Sequence, residues 1–247
     1  MSLRTSPPPW ALVVGGGLCG SELAWGLASA GVPTLLVTTS LDTIANLPSE
    51  AWRFDPPPGG VLDRVADEAR AADGAWRSWP LHRAVKRELE RLPHLHVLQS
   101  NVTALVRGTG PSGRVEGVRT WEGVDRHAQR VALCTGTFLR SRLEMGTLVE
   151  RAGRLSEMTY DDLHDDLLAH GVPFEEAVAR LDGDALTPGY VVRHQVVAPA
   201  GVAEDGALAG LPGAWAFGAC ARAGIDLAAA ARTGAAAAVA WRAAWPG

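Results

Sequence analysis

The residues of this chain best placed to do chemistry are glycines. Gly15, Gly17 and Gly20 stand in the spacing G-x-G-x-x-G directly after the apolar run Ala11-Leu-Val-Val14. Each has a separate physical task. Gly15 permits a tight turn, Gly17 lets backbone come close to a pyrophosphate, and Gly20 lets the next helix pack on the strand. The diphosphate of a dinucleotide would sit on free N–H groups at the start of that helix, where the peptide dipoles also favour negative charge. Three glycines at this spacing also occur in ordinary loops, but here the context is complete. Leu23, Ala24, Leu27 and Ala28 give a helical apolar face, Gly31 ends the helix, and Thr34-Leu-Leu-Val37 is a second β-rich run.

Other candidates surround this unit. The acidic residue usual about 20 positions after the glycines is missing, and Thr38 stands at the strand end, followed by Thr39 and Thr43. Asp42, the nearest carboxylate, either caps the next turn or reaches the cofactor. Cys19, Cys134 and Cys220 fall in segments expected to line the ligand, which fits redox work or plain packing of a small apolar side chain. Asp161, Asp162, Asp165 and Asp166 look like a metal cluster, yet carboxylates at a helix start complement the dipole, and no metal is expected. His94 and His96 read as solvated, and His82 and Arg83, opening a helix, read as surface residues.

The elements that must position these residues alternate as strand and helix. A third strand is expected over 95–98, after helices over 62–72 and 80–92. A hairpin arm turns at 108–113 and returns over 115–121. Gln129-Arg-Val-Ala-Leu-Cys-Thr-Gly-Thr-Phe-Leu139 then runs as a strand into a second glycine turn at Thr135-Gly136-Thr137. In two-dinucleotide-type flavoproteins a hairpin arm leaves the sheet, and the next strand returns to a Thr-Gly that closes over the nucleotide. Beyond it, a helix over 159–170 and a strand over 190–198 are expected. A last strand over 215–217 leads through Gly218 and Ala219 to an alanine-rich helix starting near Gly224 and Ile225 and ending about Ala244. That start would face the pyrimidine edge of an isoalloxazine, which gains negative charge on reduction. A domain for NAD alone needs no such late strand and helix, so FAD is the expected cofactor. Trp52, Arg53 and Phe54, in the proline-rich loop 45–60, then either cover the flavin ring or pin the loop.

The fold class is therefore α/β, a Rossmann-like FAD-binding parallel sheet with a β-hairpin arm and a small insert. Residues 1–9 are expected to form a disordered tail, 10–139 with 206–247 a discontinuous FAD-binding domain, and 140–205 the insert. The 247 residues, 47% hydrophobic, suffice for one large domain or two small ones. A net charge of -4 offers no bulk attraction to nucleic acid, so any RNA contact needs a local patch. Lys86 is the single lysine, leaving one candidate for lysine chemistry. Nothing reads as a signal peptide or membrane span, and a reducing cytoplasm is the simplest setting.

Together, Val14-Gly-Gly-Gly-Leu-Cys-Gly20, Leu35-Leu-Val-Thr-Thr-Ser-Leu-Asp-Thr-Ile44, Leu133-Cys-Thr-Gly-Thr-Phe-Leu139, Ala152-Gly-Arg-Leu-Ser156 and residues 218–233 resemble the glucose-inhibited division protein A flavoproteins, which modify wobble uridine in tRNA by carboxymethylaminomethylation. The resemblance implies FAD contacts at Gly15, Gly17, Gly20, Thr38, Val102, Thr135, Gly136 and Gly218, and at backbone of Gly224 and Ile225. Gly16, Leu18, Cys19, Thr39, Asp42, Thr43, Thr137 and Ala219 complete the expected cofactor set. Members of that family are far longer, with a C-terminal helical region for RNA and partner contacts. Their loop after the Asp-Thr-Ile motif usually holds a cysteine, and residues 45–60 contain none. The expected activity is an FAD-dependent oxidoreductase, reduced by NADH or NADPH. Its rivals are a non-catalytic FAD-binding partner or regulatory module, and a tRNA-modification component completed by another chain; a protein partner or a homo-oligomer is among the partners expected.

Overall fold

The computed structural model describes residues 8–110, 112–183, 188–221 and 226–247. Its strands are β1 (Ala11–Val14), β2 (Thr34–Thr38), β3 (Ala51–Trp52), β4 (Trp76–Arg77), β5 (Leu95–Gln99), β6 (Val102–Arg107), β7 (Val115–Thr120), β8 (Asp125–His127), β9 (Arg130–Leu133), β10 (Arg142–Met145), β11 (Leu148–Glu150), β12 (Ala152–Arg154), β13 (Glu157–Met158), β14 (Phe174–Leu181), β15 (Tyr190–Val197) and β16 (Ala214–Ala216). The helices are α1 (Leu18–Ser29), α2 (Val61–Ala69), α3 (Ser78–Glu90), α4 (Asp161–Ala169) and α5 (Leu227–Ala243). The expected tail lies mostly outside the described residues, which begin at Pro8.

Five strands form one parallel sheet in the order β16-β9-β1-β2-β5. β1 is central, with successive strands added first on one side and then on the other. The chain therefore reverses direction of growth between β1 and β9, and open α/β sheets hold ligands at the carboxyl ends of strands flanking such a point. β1 is buried along its whole length because both faces are covered. Ala11 and Val13 pack with α1, α2, α3 and α5 in one core. Leu12 and Val14 pack in a second core with Val102, Leu105, Val115 and Val118 of the hairpin arm and Leu163 and Leu167 of α4. The arm is the three-stranded antiparallel sheet β6-β7-β8, and β11-β10-β15-β14 forms another antiparallel sheet. Of these last four strands, only β15 had a sequence signal.

Two features tie the helices to the sheet. α5 lies so close on α1 that a Cβ on Gly234 would come within 2.1 Å of the Cys19 carbonyl oxygen, and one on Gly26 within 2.6 Å of the Ala238 Cβ. At the opposite edge the Arg130 guanidinium lies 5.0, 5.0 and 5.4 Å from the rings of Trp10, Trp215 and Trp241, linking the end of α5 to β1, β9 and β16.

Glu22 of α1 is 1% exposed, and its carboxylate accepts the first free N–H groups of α2, Val61 N–H and Leu62 N–H, both at 3.0 Å. Burial outweighs those two donors and pushes its pKa from 4.5 up to about 7. His82, expected at the surface, is instead 4% exposed, and its Nδ1–H donates to the Ile44 carbonyl at 2.8 Å. α3 turns that side of its first turns inward onto the loop after β2. Trp52, Arg53 and Phe54 pin that loop: Trp52 pairs across with Trp76, Phe54 stacks on Trp76 at 5.3 Å, and Arg53 pairs with Asp73 at 3.1 Å.

Gly234→Ala should lower the unfolding free energy by about 1–3 kcal/mol in a urea titration through overpacking, although alanine is the better helix former by about 1 kcal/mol; a more stable variant would refute the close α1–α5 contact. The raised pKa of Glu22 gives a second expectation. Its folded value lies above its unfolded one, so it contributes stability that is complete below about pH 4.5 and lost as pH rises through about 7. The stability advantage of wild type over Glu22→Gln should therefore shrink by on the order of 3 kcal/mol between those limits. An advantage that does not change with pH would contradict this.

Candidate functional site

The first glycine turn is built of backbone contacts. Gly15 has φ +103°, and a Cβ there would meet the Cys134 carbonyl oxygen at 2.5 Å, so the turns after β1 and β9 touch directly. A Cβ on Gly20 would fall 1.9 Å from the Gly15 carbonyl oxygen, so Gly20 closes the helix onto the strand. Gly17 is the N-cap of α1; no side chain caps the helix, and the first turn carries no acidic residue. A Cβ on Gly17 would meet nothing within 4 Å among the described residues. Free N–H groups thus face open space where the dipole favours an anion.

The third turn reaches the same place from the far edge of the sheet. Gly218 has φ +74° and packs on the Cys19 side chain, which carries the following residue, Ala219, into the cleft wall. Asp226 caps α5, its carboxylate accepting Ala229 N–H at 2.8 Å. Between these turns runs a cleft with two joined arms of about 740 and 400 Å³, counting the solvent at their open mouths.

Of the sequence-expected cofactor residues, Gly15, Gly16, Gly17, Thr38, Thr39, Thr43, Thr135 and Gly136 line the smaller arm. Gly17, Leu18, Cys19, Gly136, Thr137 and Ala219 line the larger. Four others do not line either arm. Gly20 serves packing, and Gly218 faces an outer groove against α5. Val102 is fully buried in the second core, because the arm must cover β1 and β2 there. Asp42 has an 89% exposed side chain and sits 3.8 Å from Lys86, while Ser40, not Asp42, caps the turn by accepting Asp42 N–H at 3.1 Å. Gly224 and Ile225 lie outside the described residues.

Sequence reasoning missed the opposite wall. Asn46, Pro48, Phe138, Gly153, Arg154, Leu181 and Tyr190 line the larger arm, and Phe138, Arg154, Glu157 and Tyr160 the smaller. Among them, only Phe138, in Leu133-Cys-Thr-Gly-Thr-Phe-Leu139, and the Gly-Arg pair of Ala152-Gly-Arg-Leu-Ser156 lay in stretches with a sequence signal. Tyr190 O–H donates to the Pro48 carbonyl at 3.5 Å, and burial pushes the Tyr160 phenol well above its ordinary value, so it stays a neutral hydroxyl. The Thr135 hydroxyl is buried in the cleft wall beside the Cys220 thiol.

The thiols are arranged for packing. Cys19 and Cys134 lie with sulfurs 3.7 Å apart, and contact with Cys19 together with burial pushes the Cys134 thiol well above its usual range. Burial pushes Cys220 up to about 11. Such thiols are uncharged at neutral pH and poor nucleophiles. Three of the four acidic residues of α4 are engaged by protein groups: Asp161 pairs with Arg142 and Arg151, Asp165 with Arg140, and Asp166 accepts Leu105 N–H at 2.9 Å.

The sequence model of the family described as Glucose inhibited division protein A matches residues 11–54 and 59–202. The tRNA uridine 5-carboxymethylaminomethyl modification enzyme MnmG of Chlamydia trachomatis is 30% identical over 187 residues, 66% of this chain and 30% of that enzyme. This chain thus spans about a third of the length of the curated relatives it matches. The crystal structure of the GidA-related protein from Thermus thermophilus is 36% identical, with a TM-score of 0.86 over 97% of this chain and all of that one. Aquifex aeolicus GidA shares the fold, with a TM-score of 0.81 at 15% identity, over 96% of this chain and 63% of that one. Among the described residues no helix is long and apolar enough to cross a membrane. By the extent of the family match and the end-to-end likeness to the Thermus protein, this chain belongs to the glucose inhibited division protein A family.

Proposed function

We propose that the chain binds FAD in the two-armed cleft and acts as an FAD-dependent oxidoreductase reduced by NADH or NADPH in the cytoplasm. The observation that carries this reading is the meeting of three sequence-distant turns at the uncapped start of α1, with no described residue over Gly17. Gly15, Gly16 and Gly17 would present backbone N–H groups to the diphosphate. Thr38, Thr39 and Thr43 offer hydroxyls to a ribose without the selectivity of a carboxylate. Leu18, Cys19, Phe217, Ala219, Leu227 and Ala230 give the larger arm an apolar side suited to a flat ring. Bound FAD supplies the two-electron chemistry; the chain's part is to orient the cofactor and keep water from it.

The curated relatives act on tRNA by name, and a third of their length carries too little to assign that reaction here. With a net charge of -4, tRNA binding by this chain would call for a local basic patch or for a different protein that supplies a basic surface.

The purified protein should carry or take up FAD, visible as a flavin absorbance band, and anaerobic NADH or NADPH should bleach it. A protein that binds FAD yet is bleached by neither would be the non-catalytic partner instead, and one that cannot take up FAD would end the proposal. The Cβ direction at Gly17 gives a sharper check. Gly17→Leu should fold with at most a small fall in melting temperature, since φ is -71° and no described residue lies in the way, the loss being that of a poorer N-cap. It should nevertheless lose at least about tenfold in FAD affinity, about 1.4 kcal/mol; unchanged affinity would remove the cofactor from this turn.

A further inference from the structure

Arg154, like Gly17, lines both arms of the cleft and so stands at their junction. Its side chain is 16% exposed and tied on three sides. Nη1–H donates to the Asn46 carbonyl at 2.6 Å, Nη2–H to Glu157 Oε2 at 2.7 Å, and Nε–H to Glu157 Oε1. The guanidinium carbon is 5.7 Å from the centre of the Phe138 ring. Phe138 in turn lies flush on Gly153, where a Cβ would come within 2.4 Å of the ring. The loop after β2, the turn after β9 and the β12–β13 hairpin therefore converge on one guanidinium. A guanidinium has five N–H donors. Three are committed, leaving one on each Nη nitrogen without an acceptor among the described residues.

Charge balance gives those donors a ligand. The charged side chains lining the two arms are Arg154, Glu157 and Asp226. A dinucleotide diphosphate is dianionic, and the start of α1 offers only about half a positive charge. Arg154 is the one cation in the described wall able to offset the remainder, and a planar fork suits phosphate oxygens.

We propose that Arg154 is the second anchor of the cofactor diphosphate, opposite the start of α1, with Glu157 presetting its guanidinium. This rests on the dinucleotide reading above and adds the residue that completes it. Glu157 holds Arg154 in place but also competes for its charge. Removing the carboxylate charge therefore strengthens diphosphate binding, whereas removing the guanidinium weakens it.

The test measures dissociation constants of FAD, ADP and riboflavin by calorimetry on the full chain, as wild type, Arg154→Gln, Arg154→Lys and Glu157→Gln, each first checked for folding by circular dichroism. Arg154→Gln should weaken FAD and ADP by about tenfold or more while riboflavin, which has no phosphate, stays within about twofold. Arg154→Lys should recover part of the loss, and Glu157→Gln should bind FAD and ADP at least as tightly as wild type. An equal loss for all three ligands, or none, would overturn the assignment and leave Arg154 as a strut of the cleft wall. Should Arg154→Gln fail to fold, Arg154→Lys decides: a loss for ADP that exceeds the loss for riboflavin supports the anchor, and equal losses overturn it. Wild-type protein that binds none of the three would overturn the dinucleotide reading as well.

Discussion

The whole arrangement depends on three places where backbone meets backbone with no room for a Cβ. Gly15 meets the Cys134 carbonyl, Gly20 meets the Gly15 carbonyl, and Gly234 meets the Cys19 carbonyl. The first joins the turns of the two central strands, the second brings α1 onto β1, and the third presses α5 on α1. Between them they fix the start of α1 at the carboxyl edge of the sheet, where the strand order reverses. Packing densities of protein interiors leave little slack for such contacts to drift.

This explains why the glycine unit was readable from sequence and the opposite wall was not. A glycine forced by a positive φ or a close carbonyl leaves a local mark, and the apolar runs of β1 and β2 frame it. Arg154 and Phe138 reach the cleft because the β12–β13 hairpin and the turn after β9 close on the loop after β2, and Tyr190 because the β11-β10-β15-β14 sheet folds over it. That sheet signals itself poorly, since the buried face of β14 is made of Ala177 and Ala179, too small to stand out among their charged neighbours. His82 misled for a related reason: a polar residue in the first turns of an amphipathic helix looks exposed until a carbonyl from elsewhere, here that of Ile44, meets it. Val102 follows the same logic in reverse. Its position at the start of the arm suits a cofactor contact, but the arm has to cover the parallel sheet, and its side chain goes into that core.

The electrostatics of the cleft are sparse. Burial holds the Cys134 and Cys220 thiols neutral, Tyr160 keeps its proton, and Arg154 is matched by Glu157. Such a site orients a ligand through backbone donors and shape and leaves reactive chemistry to what it binds. The chain is alike over 97% of its length to a protein of similar span and matches about a third of the length of its longer relatives.

The central claim, that three sequence-distant turns hold one ligand, is tested most directly by hydrogen–deuterium exchange with and without FAD. The account predicts that FAD slows exchange together in the peptides covering residues 15–20, 135–138 and 218–220. Slowing in only one of them, or in the outer groove around residues 199–206 alone, would contradict it.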